Sequence, residues 1–284
     1  MIPNLNLVTI TREAGIGYAL KYCVRLVVRA GQLISAKFPG GAFAARSLAA
    51  LENIDSSLID IERRLGLYQP WTIGARRFTA ADNRSWWNSH NWSELGEEWT
   101  PDAAWKAAIV ERFLQPYIGG GTVVEVGPGG GRWTELLSDR ASRVCVLDVA
   151  ETPLRVCRDR FAQRSTISYV RGDGRTIPFR EGSIDAVWSY DVFVHINPAD
   201  AQSYVSEIGR ILRDEAYAVI HHPGQDSAAE RVQKHRSSLT DSMVRRFAEA
   251  SGLEIVLQTR ELVNEGDVLT VLRKPVRLRP RGAP

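Results

Sequence analysis

The sequence predicts an α/β fold: a seven-stranded, mostly parallel sheet with helices on both faces, preceded by a helical amino-terminal region. Short apolar runs typical of buried strands alternate with longer helical segments through residues 119–275. A glycine-rich turn at 127–131 joins one such strand to a helix. The chain has 284 residues, 44% of them hydrophobic, which is enough for a core that needs no disulfide or metal.

The apolar periodicity gives the order of the elements. We place strands near residues 122–126, 143–147, 167–170, 184–189, 216–222, 254–259 and 267–273. We place helices near residues 101–117, 132–141, 152–164, 198–213 and 240–251. Four regions follow: a helical amino-terminal region at 1–70, a tryptophan-rich lid and connecting helix at 71–118, the α/β domain at 119–275 and a basic tail at 276–284.

Two helices are predicted before the α/β domain. Within residues 13–36, Lys21, Arg25 and Arg29 are spaced by four and form one basic stripe on an apolar helix. Such a helix packs on the protein's own body or on a second subunit, or it lies on an anionic membrane surface. Residues 47–68 repeat apolar residues at heptad spacing, which fits a homo-oligomer seam and an intramolecular helix pair equally well.

Six of the eight tryptophans lie within residues 71–118, before the glycine-rich turn. Aromatic side chains offer large apolar faces that can cover a ligand, so we interpret this stretch as a lid. The alternative is that these tryptophans pack the amino-terminal helices onto the sheet. Thr100 and Pro101 predict the N-cap and the first residue of the connecting helix.

The composition excludes several kinds of site. The net charge of +3 is close to balanced and the α/β region has no dense basic stripe, so no nucleic-acid partner is predicted. The three cysteines have no zinc-site spacing and the carboxylates form no convincing set, so we expect no metal. The amino terminus lacks a secretory pattern, so we expect a cytoplasmic location, with peripheral contact at the inner membrane face through residues 13–36 as one option.

The candidate site begins at the turn Gly127-Pro128-Gly129-Gly130-Gly131, where a ligand can approach the backbone because no Cβ intervenes. Asp148 ends the next strand, 17 residues after Gly131, and a carboxylate there can accept both hydroxyls of a ribose. Gly172-Asp173-Gly174 follows the third strand, and Tyr190-Asp191 follows the fourth. Arg132 stands where a dinucleotide-binding fingerprint needs its third glycine, which argues against an oxidoreductase.

These motifs resemble the class I methyltransferase family over about residues 100–275; the matching residues are E-V-G-P-G-G-G at 125–131, Asp148, Gly172-Asp173 and I-D-A-V-W-S-Y-D at 184–191. The resemblance implies a Rossmann-like methyltransferase sheet and S-adenosylmethionine as cofactor. It implies that the loop wraps the methionine part, that Asp148 holds the ribose, that Asp173 contacts the adenine edge and that Asp191 lines the methyl-transfer site. The residues implied for cofactor binding are Glu125, Gly127, Pro128, Gly129, Gly131, Asp148, Val149, Gly172, Asp173, Gly174 and Tyr190.

Methyl transfer to a hydroxyl needs a base, and histidine is the usual choice near neutral pH. His195 follows the fourth strand, and His221-His222 end the fifth, so they approach the ligand crevice at the carboxyl ends of the strands. Successive strand residues point to opposite faces, so one of the pair faces away. We predict His195 or His222 as the base, with Asp191 nearby.

A closer resemblance concerns the acceptor. The stretch WWNSHNWSELGEEWT at 86–100, the double histidine, and RSSLTDSMVRRFAEASGL at 236–253 are similar to bacterial methyltransferases linked with surface-polysaccharide assembly. This resemblance implies O-methylation of a saccharide or another small hydroxyl-bearing acceptor. Two alternatives stay open: transfer to an amine, carboxylate or phosphate, and a non-catalytic protein that binds S-adenosylmethionine as an assembly partner.

Overall fold

The computed structural model describes residues 78–224, 236–264 and 266–276. The predicted helices at 13–36 and 47–68 lie outside these residues, and so does the tail after Val276. Membrane contact and oligomerisation through those helices therefore stay predictions. Within the described ranges, no helix is both long enough and apolar enough to cross a bilayer.

The described chain forms one seven-stranded sheet. Its strands are β1 (Thr122–Val126), β2 (Arg143–Asp148), β3 (Ile167–Arg171), β4 (Ile184–Ser189), β5 (Leu212–Pro223), β6 (Glu254–Thr259) and β7 (Asp267–Arg273). Their order across the sheet is β3-β2-β1-β4-β5-β7-β6. All neighbouring pairs are parallel except β5 with β7 and β6 with β7. This arrangement confirms the predicted fold class.

Six α-helices accompany these strands in the described ranges. They are α1 (Ala80–Ser89), α2 (Ala103–Ile109), α3 (Thr134–Ser138), α4 (Glu151–Arg160), α5 (Pro198–Ile211) and α6 (Asp241–Ala250). A π-helical turn at Val110–Leu114 extends α2, and short 3-10 turns occur at Glu97–Trp99 and Phe193–His195.

The start of α2 differs from the prediction. Asp102, rather than Thr100, is the N-cap, because its Oδ1 accepts a hydrogen bond from the amide of Trp105 at 2.7 Å. The Thr100 hydroxyl instead donates to Glu97 Oε2 at 2.8 Å. The helix therefore begins at Ala103, two residues after Pro101.

Helix α1 was not predicted, because its sequence combines two adjacent tryptophans with small and polar residues and has no apolar stripe. A capping box starts it: the Thr79 hydroxyl accepts from the amide of Asp82, and the Asp82 carboxylate accepts from the amide of Thr79, both at 3.2 Å. Two local hydrogen bonds thus fix the amino end of α1, and tertiary packing supplies the rest of its stability.

The core lies on both faces of the sheet. Alternate residues of each strand point to opposite faces, so Val124 and Val126 belong to one buried cluster and Val123 to the other. Helices α5 and α6 cover the first cluster, and α2, α3 and α4 cover the second. With both faces covered, ligand access is left to the edge where the parallel strands end.

Candidate functional site

The glycine-rich turn after β1 (called the glycine loop, Gly127–Gly131) takes a conformation that side chains would block. Gly127 has φ +71°, and a Cβ there would lie 2.3 Å from the Val192 side chain. A Cβ on Gly130 would lie 2.4 Å from the backbone of Leu95. The loop therefore tolerates glycine alone at these two positions, and the tryptophan-rich segment passes directly over it.

Asp148 ends β2 beside this loop. Its side chain is only 7% exposed, and its Oδ1 accepts from the amide of Ala150 at 2.8 Å. No basic side chain of the described residues forms an ion pair with it. Burial raises the pKa of Asp148 to about 7. A buried carboxyl group without a cation would gain from a ligand that donates hydrogen bonds to it.

The loop after β3 approaches Asp148 through its backbone. The amide of Gly172 donates to the carbonyl of Asp148 at 2.8 Å. The carboxylate of Asp173 turns back on its own loop, accepting from the amides of Arg175 and Thr176, both at 2.8 Å. The structure thus gives Asp173 a local turn-forming role, and its contact with adenine stays a prediction.

Helix α1 crosses above the same loops. A Cβ on Gly174 would lie 2.4 Å from the Cβ of Ala80, and Arg84 Nε donates to the carbonyl of Val149 at 3.3 Å. The carbonyl and amide groups after β2 and β3 therefore lie beneath α1, next to the buried carboxyl of Asp148.

Glu125 lies within β1 below the glycine loop. It is 1% exposed, and its carboxyl accepts from the hydroxyl of Thr134 at 2.6 Å. Burial raises the pKa of Glu125 to about 7, although this hydrogen bond acts to lower it. The side chain joins β1 to α3 and so supports the loop from beneath. Its contact with the cofactor stays a prediction.

Asp191 follows β4 and is bound to two basic groups. Arg132 Nη2 donates to Asp191 Oδ2, and His221 Nδ1 lies 3.0 Å from Asp191 Oδ1. The ring of Tyr190 stacks on the ring of His221 at 4.5 Å between centroids. Although burial acts to raise it, the pKa of Asp191 is held well below its ordinary value by His221 and Arg132. Asp191 is therefore a carboxylate at neutral pH.

The same chain of charges continues to β7. His221 Nε2 lies 3.5 Å from Asp267 Oδ2, and Arg236 Nη2 donates to that oxygen at 2.7 Å. Burial acts to lower the pKa of His221, but its contacts with Asp191 and Asp267 raise it above its ordinary value. Five side chains thus alternate in charge across the ends of β4, β5 and β7; we call them the buried charge chain (Arg132, Asp191, His221, Asp267, Arg236).

His222 does not join this chain, although the sequence analysis selected it. Its side chain is fully buried, with Nε2 2.7 Å from Thr270 Oγ1 and Nδ1 2.7 Å from the carbonyl of Pro223. Burial lowers its pKa to about 4. Both ring nitrogens are used inside the fold, and strand alternation turns His221 rather than His222 toward Asp191.

His195 lies at the end of the 3-10 turn after β4 and is half-buried. Its ring is 5.2 Å from the ring of Trp87 and 6.3 Å from that of Phe78. The amide nitrogen of Asn83 on α1 donates to the carbonyl of His195 at 2.6 Å. These contacts place His195 where the strand ends meet the tryptophan-rich segment.

The rings of that segment form an aromatic cluster (Trp87, His90, Trp92, Trp99). His90 lies 4.6 Å from Trp92 and 5.1 Å from Trp99, and its Nε2 lies 2.9 Å from Glu98 Oε1. A Cβ on Gly129 would lie 2.9 Å from the Trp92 ring. The aromatic cluster therefore rests on the glycine loop.

Sequence reasoning missed Arg132 and Arg236 as members of the site, and it did not connect Asp267 with the histidine pair. The replacement of a fingerprint glycine by Arg132 was a signal for it, but Arg236 and Asp267 are 31 residues apart and meet only through the sheet. A cavity of about 620 Å³ between α2 and α3 borders on Arg132 and Lys106. Among the described residues, no three His, Cys, Asp or Glu side chains are grouped to hold a metal ion.

Comparison with known proteins agrees with this geometry. Residues 124–220 match the family described as "Methyltransferase domain". The chain is 26% identical over 154 residues to a probable S-adenosylmethionine-dependent methyltransferase of Mycolicibacterium smegmatis, covering 52% of this chain and 57% of that protein. It is 36% identical over 80 residues to a ribosomal RNA small subunit methyltransferase A of Acidobacterium capsulatum, covering 28% of each.

Among solved structures, geranyl diphosphate C-methyltransferase of Streptomyces coelicolor, in complex with Mg²⁺, geranyl diphosphate and S-adenosyl-L-homocysteine, has the same fold with a TM-score of 0.53. The identity is 15%, over 71% of this chain and 100% of that one.

The chain spans between 26% and 57% of the lengths of the curated relatives it matches. The matched region is a class I, S-adenosylmethionine-dependent methyltransferase domain, which confirms the predicted enzyme class and cofactor.

Proposed function

Because the chain carries a class I methyltransferase domain, we propose that it transfers a methyl group from S-adenosylmethionine to a hydroxyl of a small acceptor. The acceptor that we propose is a saccharide. The observation that carries this proposal is the carboxyl of Asp148, which is buried beside the glycine loop with no cation among the described residues. Two histidines, His195 and His221, lie on the Asp191 side of the same sheet edge. They are candidates for accepting the proton of the acceptor hydroxyl.

The residues at the strand ends fit the cofactor. Asp148 would accept hydrogen bonds from the two ribose hydroxyls. These bonds would stabilise the ionised carboxylate and offset the cost of burying its charge. The loop between Gly127 and Gly131 would approach the methionyl part through its backbone. When bound, S-adenosylmethionine supplies an activated sulfonium methyl whose leaving group is neutral. The protein must then align the nucleophile and, for an alcohol, accept its proton.

We assign the proton acceptor to His195. His221 is fully buried between the carboxylates of Asp191 and Asp267, which raise its pKa against the effect of burial, and its Nδ1 accepts from the amide of Asp191 at 3.2 Å, so its ring is engaged inside the fold. His222 uses both ring nitrogens inside the fold. His195 is half-buried beside Trp87, at the boundary between the strand ends and the aromatic cluster.

The aromatic cluster supports a saccharide as the acceptor. Flat aromatic faces pack against the apolar faces of sugar rings, and polar groups at the rim can hydrogen-bond sugar hydroxyls. Here Trp99 is 41% exposed, and the His90–Glu98 pair lies beside it. In this proposal, residues 78–100 belong to the tryptophan-rich lid predicted within 71–118.

A transfer assay tests this function. The full chain is incubated with S-adenosylmethionine labelled at the methyl group and with separate fractions of cell-envelope glycans, lipids and RNA. We expect label in the glycan fraction, and its loss in His195→Gln while affinity for S-adenosylhomocysteine is retained. His222→Gln is the matched control, because the Gln amide oxygen can still accept from the Thr270 hydroxyl and the residue lies outside the cleft.

Two results would contradict the assignment. Label in RNA alone would replace the saccharide with a nucleic-acid acceptor. Undiminished transfer by His195→Gln would indicate an acceptor that is already anionic and needs no base, such as a carboxylate or phosphate.

A further inference from the structure

We propose that Arg132 binds the methionyl carboxylate of the cofactor and joins it to Asp191. This inference rests on the proposed use of S-adenosylmethionine and assigns one contact within that site. The ligand group is a carboxylate, the only anionic group of that cofactor.

The position of Arg132 is fixed by the chain and by packing. It follows Gly131, the last residue of the glycine loop, and its side chain is 5% exposed. Its guanidinium carbon lies 5.3 Å from the centre of the Trp133 ring and 5.5 Å from that of Tyr190. Nη2 donates to Asp191. Stacking and an ion pair thus hold the guanidinium in one orientation at the methionine end of the loop.

One nitrogen of this guanidinium remains to be satisfied. Arg132 Nη1 is buried and finds no acceptor among the described residues. A buried N–H of a charged group without an acceptor is costly, and a carboxylate oxygen is the acceptor that guanidinium groups bind best. Because Nη2 already holds Asp191, Nη1 could take a ligand oxygen without breaking that pair.

The charges around Arg132 favour an added anion. The buried charge chain has three basic side chains against two carboxylates, and its histidine is raised in pKa. Two other acidic groups lie nearby. Glu97 is bound to Lys106 Nζ at 2.5 Å, and Glu125 accepts from Thr134 with its pKa raised to about 7. Each of these carboxyl groups has a partner of its own, and neither accepts from Arg132 Nη1.

The sheet gives the direction of the cofactor. β1 lies between β2 and β4, so Asp148 and Asp191 stand on opposite sides of the glycine loop. With the ribose at Asp148, the remaining part of the cofactor extends past the loop toward Asp191 and Arg132. The carboxylate end then meets the guanidinium.

Isothermal titration calorimetry with two ligands tests the contact. The probes are S-adenosylhomocysteine and its decarboxylated analogue, which keeps the adenosine, the thioether and the amine. We expect wild type to bind S-adenosylhomocysteine at least about tenfold more tightly than the analogue, as for a hydrogen bond between charged groups. Arg132→Met should bind both ligands alike, and Arg132→Lys should keep part of the preference.

Two variants serve as comparisons. Arg112→Met removes a surface arginine that is 48% exposed and should keep the wild-type preference. Lys106→Met tests the other cation beside the cavity. The proposal is overturned if wild type binds the two ligands equally, a result that needs no variant to fold. A preference that persists in Arg132→Met, or that vanishes in Lys106→Met instead, overturns it as well. If wild type binds neither ligand, the cofactor assignment itself fails.

Discussion

Replacing Asp148 by Asn should weaken cofactor binding and at the same time stabilise the ligand-free protein. The physical reason is that the carboxyl is buried at 7% exposure, with an amide hydrogen bond but no cation among the described residues. Its pKa rises from 3.8 to about 7, so the folded protein binds this proton better than the unfolded chain does. Ionisation of Asp148 therefore costs stability as the pH rises from 3.8 to about 7.

The magnitude follows from that rise in pKa, which corresponds to about 4 kcal/mol once the pH exceeds 7. Asn has no charge, so the stability difference between Asp148→Asn and wild type should grow by about 3 kcal/mol from pH 5 to pH 8. For a domain of this size that is a change of roughly 8 °C in relative midpoint. An unsatisfied amide group could lower the stability of the variant, but by the same amount at both pH values.

Thermal unfolding of the ligand-free proteins at the two pH values measures the effect, and calorimetry with S-adenosylhomocysteine measures the loss of affinity. Loss of the ribose contact should weaken binding by at least about tenfold. Asp159→Asn on the exposed face of α4 is the matched control and should change neither quantity. A stability difference that does not vary with pH, or an unchanged affinity, would refute the reasoning.

Three further predictions concern the loop and the histidines. Gly130→Ala should loosen the segment over the glycine loop, because the added Cβ would lie 2.4 Å from the Leu95 backbone. Limited proteolysis within residues 90–100 should become faster. An unchanged rate of cleavage would contradict the close approach of Leu95 to Gly130. His222→Gln should make the protein less sensitive to acid, because the pKa of His222 falls to about 4 on folding and wild type therefore loses stability as the pH falls below 6.5. Denaturant titrations at pH 7 and pH 5 measure the free energy of unfolding of both proteins. Equal losses of stability in the two proteins would count against this assignment. His221 has a raised pKa, so the stability it contributes should be full at pH 6 and should decline as the pH rises through that pKa. His221→Asn should make the free energy of unfolding less dependent on pH in this range. A parallel decline in both proteins would argue against a charged His221.

The strands and the loop were predictable because their signals are local. Each strand of the sheet coincides with an apolar run, and Gly127–Gly131 follows β1 as the strand–turn–helix pattern requires. The position of Asp148 at the end of β2 follows from the same pattern. Helix α1 escaped prediction because its contacts are with groups that are distant in sequence, such as the carbonyl of Val149, to which Arg84 donates.

The acidic residue after β3 shows the limit of position alone. Asp173 stands where the family resemblance expects a ligand contact, and in this structure its Oδ1 accepts from two amides of its own turn and its Oδ2 from the Thr176 hydroxyl. Short polar side chains between glycines form such turns readily, and the sequence cannot separate the two outcomes. The structure shows the turn contacts of Asp173, and its contact with adenine stays a prediction.

The histidine pair marks the division most clearly. Strand alternation in the sequence requires that His221 and His222 point to opposite faces. Only the pairing of β5 with β4 and β7 decides that His221 meets Asp191 and Asp267. The sequence by itself determined the α/β sheet, the glycine loop and the carboxylate of Asp148, because backbone periodicity and turn chemistry act over a few residues. The buried charge chain depended on the tertiary structure, because electrostatic pairing acts through space between residues that the chain order leaves far apart.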